Sequence, residues 1–479
     1  MSETSIRFQC KDPVIKRIYD TAEARCLTNL RRFGQRTVLV EGGGYEKIWL
    51  ETQPMGGVMY ALRNLEAAKN NVAMFMDFQR ADGRLPGSIE YHPDGQIEPQ
   101  FNKYQGFCFP DPALDLYYLT GEDRNYLNRL KDTLRRFDEC LWRTRDSNHD
   151  GILESFCVYD TGEDLAVRYA DAPCWWSEDN PPEDASIVPM ASMDVMSWSY
   201  ASRAALAEIA RIEHNEGEAV HWKRRSDEVA EAIHTRLWDA SAGTCYDRDK
   251  YGRVIPILCH NPLRCMYWGS FSPDMADTFV RRHLLNPDEF WTPIPLPSVA
   301  ANDPAFRNQP ENNWSGQPEG LTYQRAITAL ERYGYHTLVT ALGKHLLSAV
   351  ADGGYRFTQQ FDPFTRMPSL VHAVTHQPVK SGTGEPVQDA YGPTMLACLE
   401  YIAHRWGISP HRNQIWFSLG TGNPCSTAAD CFGHCYSLEN DGQKAVIRID
   451  NKTEKTFTGG IRVICHQDGT VLSTVPIEP

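Results

Sequence analysis

Residues 321–350 read LTYQRAITALERYGYHTLVTALGKHLLSAV, and the break inside LERYGYHTL (330–338) decides the fold. Helical periodicity runs up to it and resumes beyond it. A glycine, Gly334, ends one helix and a polar residue begins the next. LTGEDRNYL (119–127) repeats the device. Upstream, PVIKRIYDTAEARCLTNLRRF (13–33) puts Ile15, Ile18, Tyr19, Ala22 and Cys26 on one face, with Asp12 as N-cap and Pro13 at the first helical position. Similar segments follow at 57–80, 111–119, 122–142, 193–213, 217–238, 273–285, 318–333, 335–351 and 393–407. Ten or more helices in antiparallel pairs suit a solenoid, a bundle or a toroid. No fixed sequence repeat argues for a solenoid. Six inner and six outer helices in a closed barrel fit the length, with loops at one end converging on a central pit.

From about residue 412 the pattern changes. YSLEND, KAVIRIDNKT and GGIRVICHQDGTVLSTVPIE alternate like strands, with turns at Asn440-Asp441-Gly442 and Asp468-Gly469. The expected organisation is an all-α barrel over 1–411 and a small β appendage over 412–479. The chain has 479 residues, 42% of them hydrophobic, enough for a large core. A net charge of −14 without any Lys/Arg-rich block argues against nucleic acid or anionic membrane as partner. The first twenty residues hold no apolar core of signal-peptide length, and no run approaches the ~20 apolar residues of a membrane span. A cytoplasmic protein with reduced cysteines is expected. Cys425, Cys431, Cys435 and Cys465-His466 lack the CxxC spacing of a zinc site.

Six acids crowd into DSNHDGILESFCVYDTGED (146–164). In its first half, Asp146, Asn148, Asp150, the Ile152 carbonyl and Glu154 match the opening nine positions of a calcium loop, with Gly151 at the sharp turn. Position 12 is Cys157, which excludes a full EF-hand. A lone structural Ca²⁺ completed from elsewhere is one reading, and an Asx-type turn facing water is the other. No other cofactor is required. In the second half, Asp164 is of the type that protonates a leaving sugar oxygen.

Several pieces recur here in an order that resembles the family-63 glycoside hydrolases and their relatives, the inverting trehalases and the mannosylglycerate or glucosylglycerate hydrolases. FQRADGRLPGSIEY (78–91) resembles their first barrel loop, and DSNHDGILES with TGED their acid-bearing segment. LWDASAGTCYDRDKYGR (237–253) and NNWSGQPEGLTYQRAITALERYGY (312–335) continue the series. The resemblance spans residues 45 to 407. It implies an (α/α)6 barrel and inverting hydrolysis of an α-glycoside. The acid is then the Asp of Gly162-Glu163-Asp164, with Glu163 as runner-up.

The base departs from the family. A Glu is expected just before the Tyr/Phe-x-Pro-x-Thr turn, but TQQFDPFTRMPS (358–369) has Gln359 there. An amide takes no proton from water at neutral pH. Glu385, in KSGTGEPVQDAYGPT, is the favoured replacement, ahead of Asp362 and Glu51. The family's Trp-Arg-Gly-Pro reads Trp314-Ser315-Gly316-Gln317-Pro318, without the Arg, so substrate identity does not carry over.

A sugar offers hydroxyl edges and apolar C–H faces, which call for carboxylates or amides and for aromatic rings. Trp49, Trp175, Trp176 and Trp314, with Gln79 and Gln359, are the expected substrate contacts. Trp268 and Trp291 also lie in polar loops. The partner is then a small carbohydrate, cleaved from a chain end. A lyase or epimerase on a sugar acid, and a sugar-binding pseudoenzyme, are the rival readings. Oligomeric state is not readable.

Overall fold

A computed structural model describes residues 4–311, 314–380, 382–450 and 453–479. Asn312 and Asn313 of the Trp314 motif, and Ser381 of the Glu385 loop, lie outside the described residues.

Twelve α-helices are found among the described residues: α1 (Pro13–Cys26), α2 (Gln53–Met59), α3 (Leu65–Asp77), α4 (Pro110–Leu119), α5 (Arg124–Thr144), α6 (Met193–Ile212), α7 (Glu216–Arg236), α8 (Asn261–Trp268), α9 (Pro273–Phe279), α10 (Gly320–Arg332), α11 (His336–Asp352) and α12 (Gly392–Trp406). The sequence signals act as read. Asp12 caps α1 by accepting the amides of Val14 and Ile15, and Asp123 caps α5 in the same way. The break after α10 falls at Gly334, in the left-handed region at φ +82°.

The helices form two populations. α5 is amphipathic and buries Leu127, Leu130, Leu134, Phe137 and Leu141 along one stripe. α8, by contrast, is buried at all eight positions. The even-numbered helices are the buried set. α2 packs on α4, α4 on α6, α6 on α8, α8 on α10, α10 on α12, and α12 returns to α2. Odd-numbered helices pack outside: α1 against α11 and α12, α3 against α2, α5 and α7 against α6, and α11 against α10 and α12. The segment expected as one helix over 57–80 is two, because it crosses from the inner layer to the outer.

The β part is larger than expected and begins elsewhere. Its strands are β1 (Ser5–Cys10), β2 (Ile408–His411), β3 (Gln414–Leu419), β4 (Cys425–Cys431), β5 (His434–Asn440), β6 (Lys444–Ile449), β7 (Thr453–Thr458), β8 (Ile461–His466) and β9 (Val471–Pro476). One antiparallel sheet has the order β1-β4-β5-β6-β7, the other β2-β3-β8-β9. The boundary at 411/412 is therefore corrected on two counts. The appendage starts at Ile408, and the N-terminal β1 belongs to it, pairing Ser5–Cys10 with Asp430–Cys425. Short hairpins between the helices also make the fold more than all-α. Arg412 joins the two parts, bonding Asp111 and Asp115 of α4 and Glu208 of α6 at 2.9 Å. No described helix is long and apolar enough to cross a membrane. All fourteen cysteines are free thiols.

Candidate active site

The starts of several inner helices gather near one pit. Glu51 stands two residues before α2, His260 immediately before α8, Glu319 before α10 and Tyr391 before α12. Helix N-termini favour negative charge, and here they surround a pit of about 310 Å³ rich in carboxyl groups. Asp164, Glu41 and Glu51 line it, together with Trp49, Trp175, Trp314 and Gln359. Trp314 is 3% exposed and stands 5.6 Å from the His260 ring, whereas Trp175 forms the open rim at 58%. Lys47, Lys103, Tyr45, Tyr159 and Tyr391 complete much of the wall. Burial and the neighbouring Lys47 lower the Lys103 ammonium.

Asp164 is delivered by a turn that cannot slip. Asp160, fully buried beneath it, accepts the amides of Tyr104 (3.1 Å) and Phe156 (2.8 Å). Gly162 sits at φ +76°, and a Cβ there would collide with Oε2 of Glu51. Glu163 then turns inward. Its carboxylate accepts from His260 Nε2 (2.9 Å), Asn261 Nδ2 (2.9 Å) and Thr161 Oγ1 (3.0 Å), and pairs with Arg264 (3.0 Å) and Arg168. Arg168 also holds Asp194 (3.2 Å) and Asp247. Burial pushes Glu163 up, but the two guanidinium groups more than offset it and hold the carboxyl well below its ordinary range. Glu163, the runner-up acid, faces this network and does not line the pit.

Three carboxyls in or beside the pit, Glu51, Glu41 and Glu319, shift upward. Burial, against the attraction of Arg325 and Arg264, brings Glu51 to about 8. Its Oε1 is 3.3 Å from Arg325. Burial and the nearby Glu51 carboxyl push Glu41 well up; the Tyr391 hydroxyl donates to it at 3.0 Å. Glu319, fully buried at the start of α10, is also pushed well up, by burial and then by Asp164.

Other expected residues lie elsewhere. Glu385 is exposed, bonds Thr383 at 3.0 Å and does not line the pit, because its loop stays on the surface. Asp362 is occupied by its own turn, accepting from Phe364 and Thr365. Gln79 donates to the carbonyls of Gly83 (2.8 Å) and Thr133 (3.0 Å), fastening the loop after α3. Trp176 turns away from the pit and donates to the Asn180 carbonyl. Trp268 is a buried plug bonded to the Phe107 carbonyl. In the calcium-like loop, Asp146, Asn148 and Asp150 accept the amides of Gly151, Asp150 and Ile152, and Glu154 accepts from Ser147. Asp146, Asp150 and Glu154 do not bring three ligand atoms within 4.8 Å of one another. Glu41, Tyr45, Lys47, Lys103 and Tyr391 were not expected from the sequence. The three glycines after Glu41 were the available signal.

A larger cavity of about 460 Å³ lies at the opposite end of the ring, against β2 and β3. Arg412 and Arg332, which line it, already have carboxylate partners there, so the chemistry belongs to the smaller pit.

A pit that sets carboxyl groups against tryptophan faces is built for sugar chemistry. Residues 57–375 match the family described as the Mannosylglycerate hydrolase MGH1-like glycoside hydrolase domain, and the chain belongs to that family of glycosidases. Solved structures agree in fold. The family-63 mannosylglycerate hydrolase of Thermus thermophilus, in complex with glucose, is similar with a TM-score of 0.60 at 16% identity, over 81% of this chain and 100% of that one. Neutral trehalase from Saccharomyces cerevisiae is similar with a TM-score of 0.54 at 14% identity, over 80% of each chain. The α-L-rhamnosidase of Dictyoglumus thermophilum is similar with a TM-score of 0.55 at 12% identity, over 94% of this chain and 44% of that one.

Proposed function

We propose that the protein is an inverting, exo-acting glycosidase on a small α-glycoside, with Asp164 as the proton donor and the helical ring as an (α/α)6 barrel. The observation that carries the reading is the position of Asp164 on the wall of the pit, among Trp49, Trp175 and Trp314. A pit of about 310 Å³ suits one or two sugar rings rather than a polymer. The tryptophans offer faces to C–H surfaces, and Gln359 and Lys103 offer polar groups to hydroxyls. Asp164 protonates the leaving oxygen while water attacks from the far side of the ring.

The test uses trehalose, mannosylglycerate, glucosylglycerate and nitrophenyl α-glycosides. Wild-type enzyme releases the β-anomer first, as followed by proton NMR. Asp164→Asn lowers turnover by ~10²–10⁴-fold with sugar binding retained, the scale of one proton-transfer role. Full turnover in Asp164→Asn, or an α-anomer as first product, removes the reading.

A further inference from the structure

We infer that Glu41 is the general base of this pit, supplying the carboxylate that position 359 lacks. This rests on the glycosidase reading above. A base in an inverting site faces the acid across the sugar. The loop of Asp164 leads into α6. Asp164 and Glu41 both line the pit, Asp164 on the loop that lies against Glu51 and Glu41 against the start of α12. Glu41 is held against the start of α12. Its carboxyl accepts from the hydroxyl of Tyr391, the residue before α12, and its carbonyl accepts the amide of Gly392 at 2.7 Å. Gln359 occupies the same side, its Oε1 accepting from Tyr45 at 3.0 Å.

The backbone is built to place this carboxyl. Gly42, Gly43 and Gly44 all have positive φ, and a Cβ on Gly43 would press on Tyr391 at 3.1 Å. The turn thus folds Glu41 against α12 and returns the chain to Tyr45. The other described acids fail on position. The Glu51 carboxyl lies against Gly162, on the donor's own wall, and is committed to Arg325. Glu319 does not line the pit, and Glu385 is outside it. Once ionised, above its raised pKa, Glu41 takes a proton from water as the water oxygen bonds to the anomeric carbon. The glycosidic C–O bond breaks, and Asp164 gives its proton to the departing oxygen. One water is consumed, and exchange with solvent returns both acids to their starting states.

The experiment uses α-D-glucosyl and α-D-mannosyl fluoride beside the glycoside panel, because fluoride leaves without a proton. Glu41→Gln, which keeps the acceptor for Tyr391, is expected to lose ~10²–10⁴-fold on both fluorides and glycosides. Asp164→Asn is expected to lose glycoside turnover and keep fluoride turnover. Sodium azide is expected to restore Glu41→Ala on an α-fluoride and to yield the β-glycosyl azide, which a merely structural residue would not permit. Glu41→Gln within tenfold of wild type on a fluoride overturns the assignment and leaves the glycosidase reading standing. A wild-type protein inert on every sugar overturns both.

Discussion

Glu163 and Asp164 are chemically similar neighbours with opposite environments. Glu163 is enclosed by two arginines, a histidine and an asparagine; Asp164 faces the pit. Glu163→Gln leaves Arg168 and Arg264 partly uncompensated. Removing one partner of a buried pair costs about 3–5 kcal/mol, measurable by denaturant unfolding. Because the same carboxylate anchors the turn ahead of Asp164, kcat is expected to fall more than KM changes. A Glu163→Gln protein with unaltered stability would show that the network is not holding the turn. At this scale the sequence was informative where a residue is defined by its neighbours in the chain. The Gly-x-Asp turn drew attention to Asp164 and the family turn to Gln359, and both line the pit. It was silent on Glu41, which reaches the wall through contacts with Tyr391 and Gly392, some 350 positions away. Glu385 misled because a glycine-rich loop before a helix looks the same whether it dips inward or stays on the surface.

Elements with one wet face were legible, since burial on one side writes a 3.6-residue period into the sequence. The outer helices α1, α5 and α11 were placed from that period and their caps. α8 was not seen, because NPLRCMYW is buried all round and too short to show a stripe. α2 was merged with α3 for the same reason. The acidic loop of 146–154 shows the converse limit: oxygen spacing alone does not distinguish ion ligands from turn acceptors. The amides of Gly151, Asp150 and Ile152 donate to Asp146, Asn148 and Asp150, and Arg236 pairs with Asp150 at 2.9 Å, which favours the Asx-type turn. EDTA is therefore expected to leave the thermal midpoint unchanged, by calorimetry in metal-free buffer. A midpoint that climbs with added calcium would mean that the loop reopens around an ion.

For the whole molecule, the sequence conveyed a double layer of helices followed by strands, but not how the ends meet. β1 alternates over only six residues, too few to distinguish from an extended leader, and its partner lies more than 400 residues away. Deleting residues 4–10 bares the outer edge of β4 and removes Phe8, 3% exposed, from the core. An open edge of this kind invites pairing with another chain. The truncated protein is expected to melt earlier and to scatter light in proportion to its concentration; a monomer of wild-type stability would contradict this. The same pairing constrains manufacture in the cell. Since β1 docks on β4, more than 400 residues downstream, and α2 completes its circuit only with α12, these upstream segments leave the ribosome before their mates are made. They wait while the intervening helices are made, with an unpaired edge and apolar surface of the kind that chaperones shield.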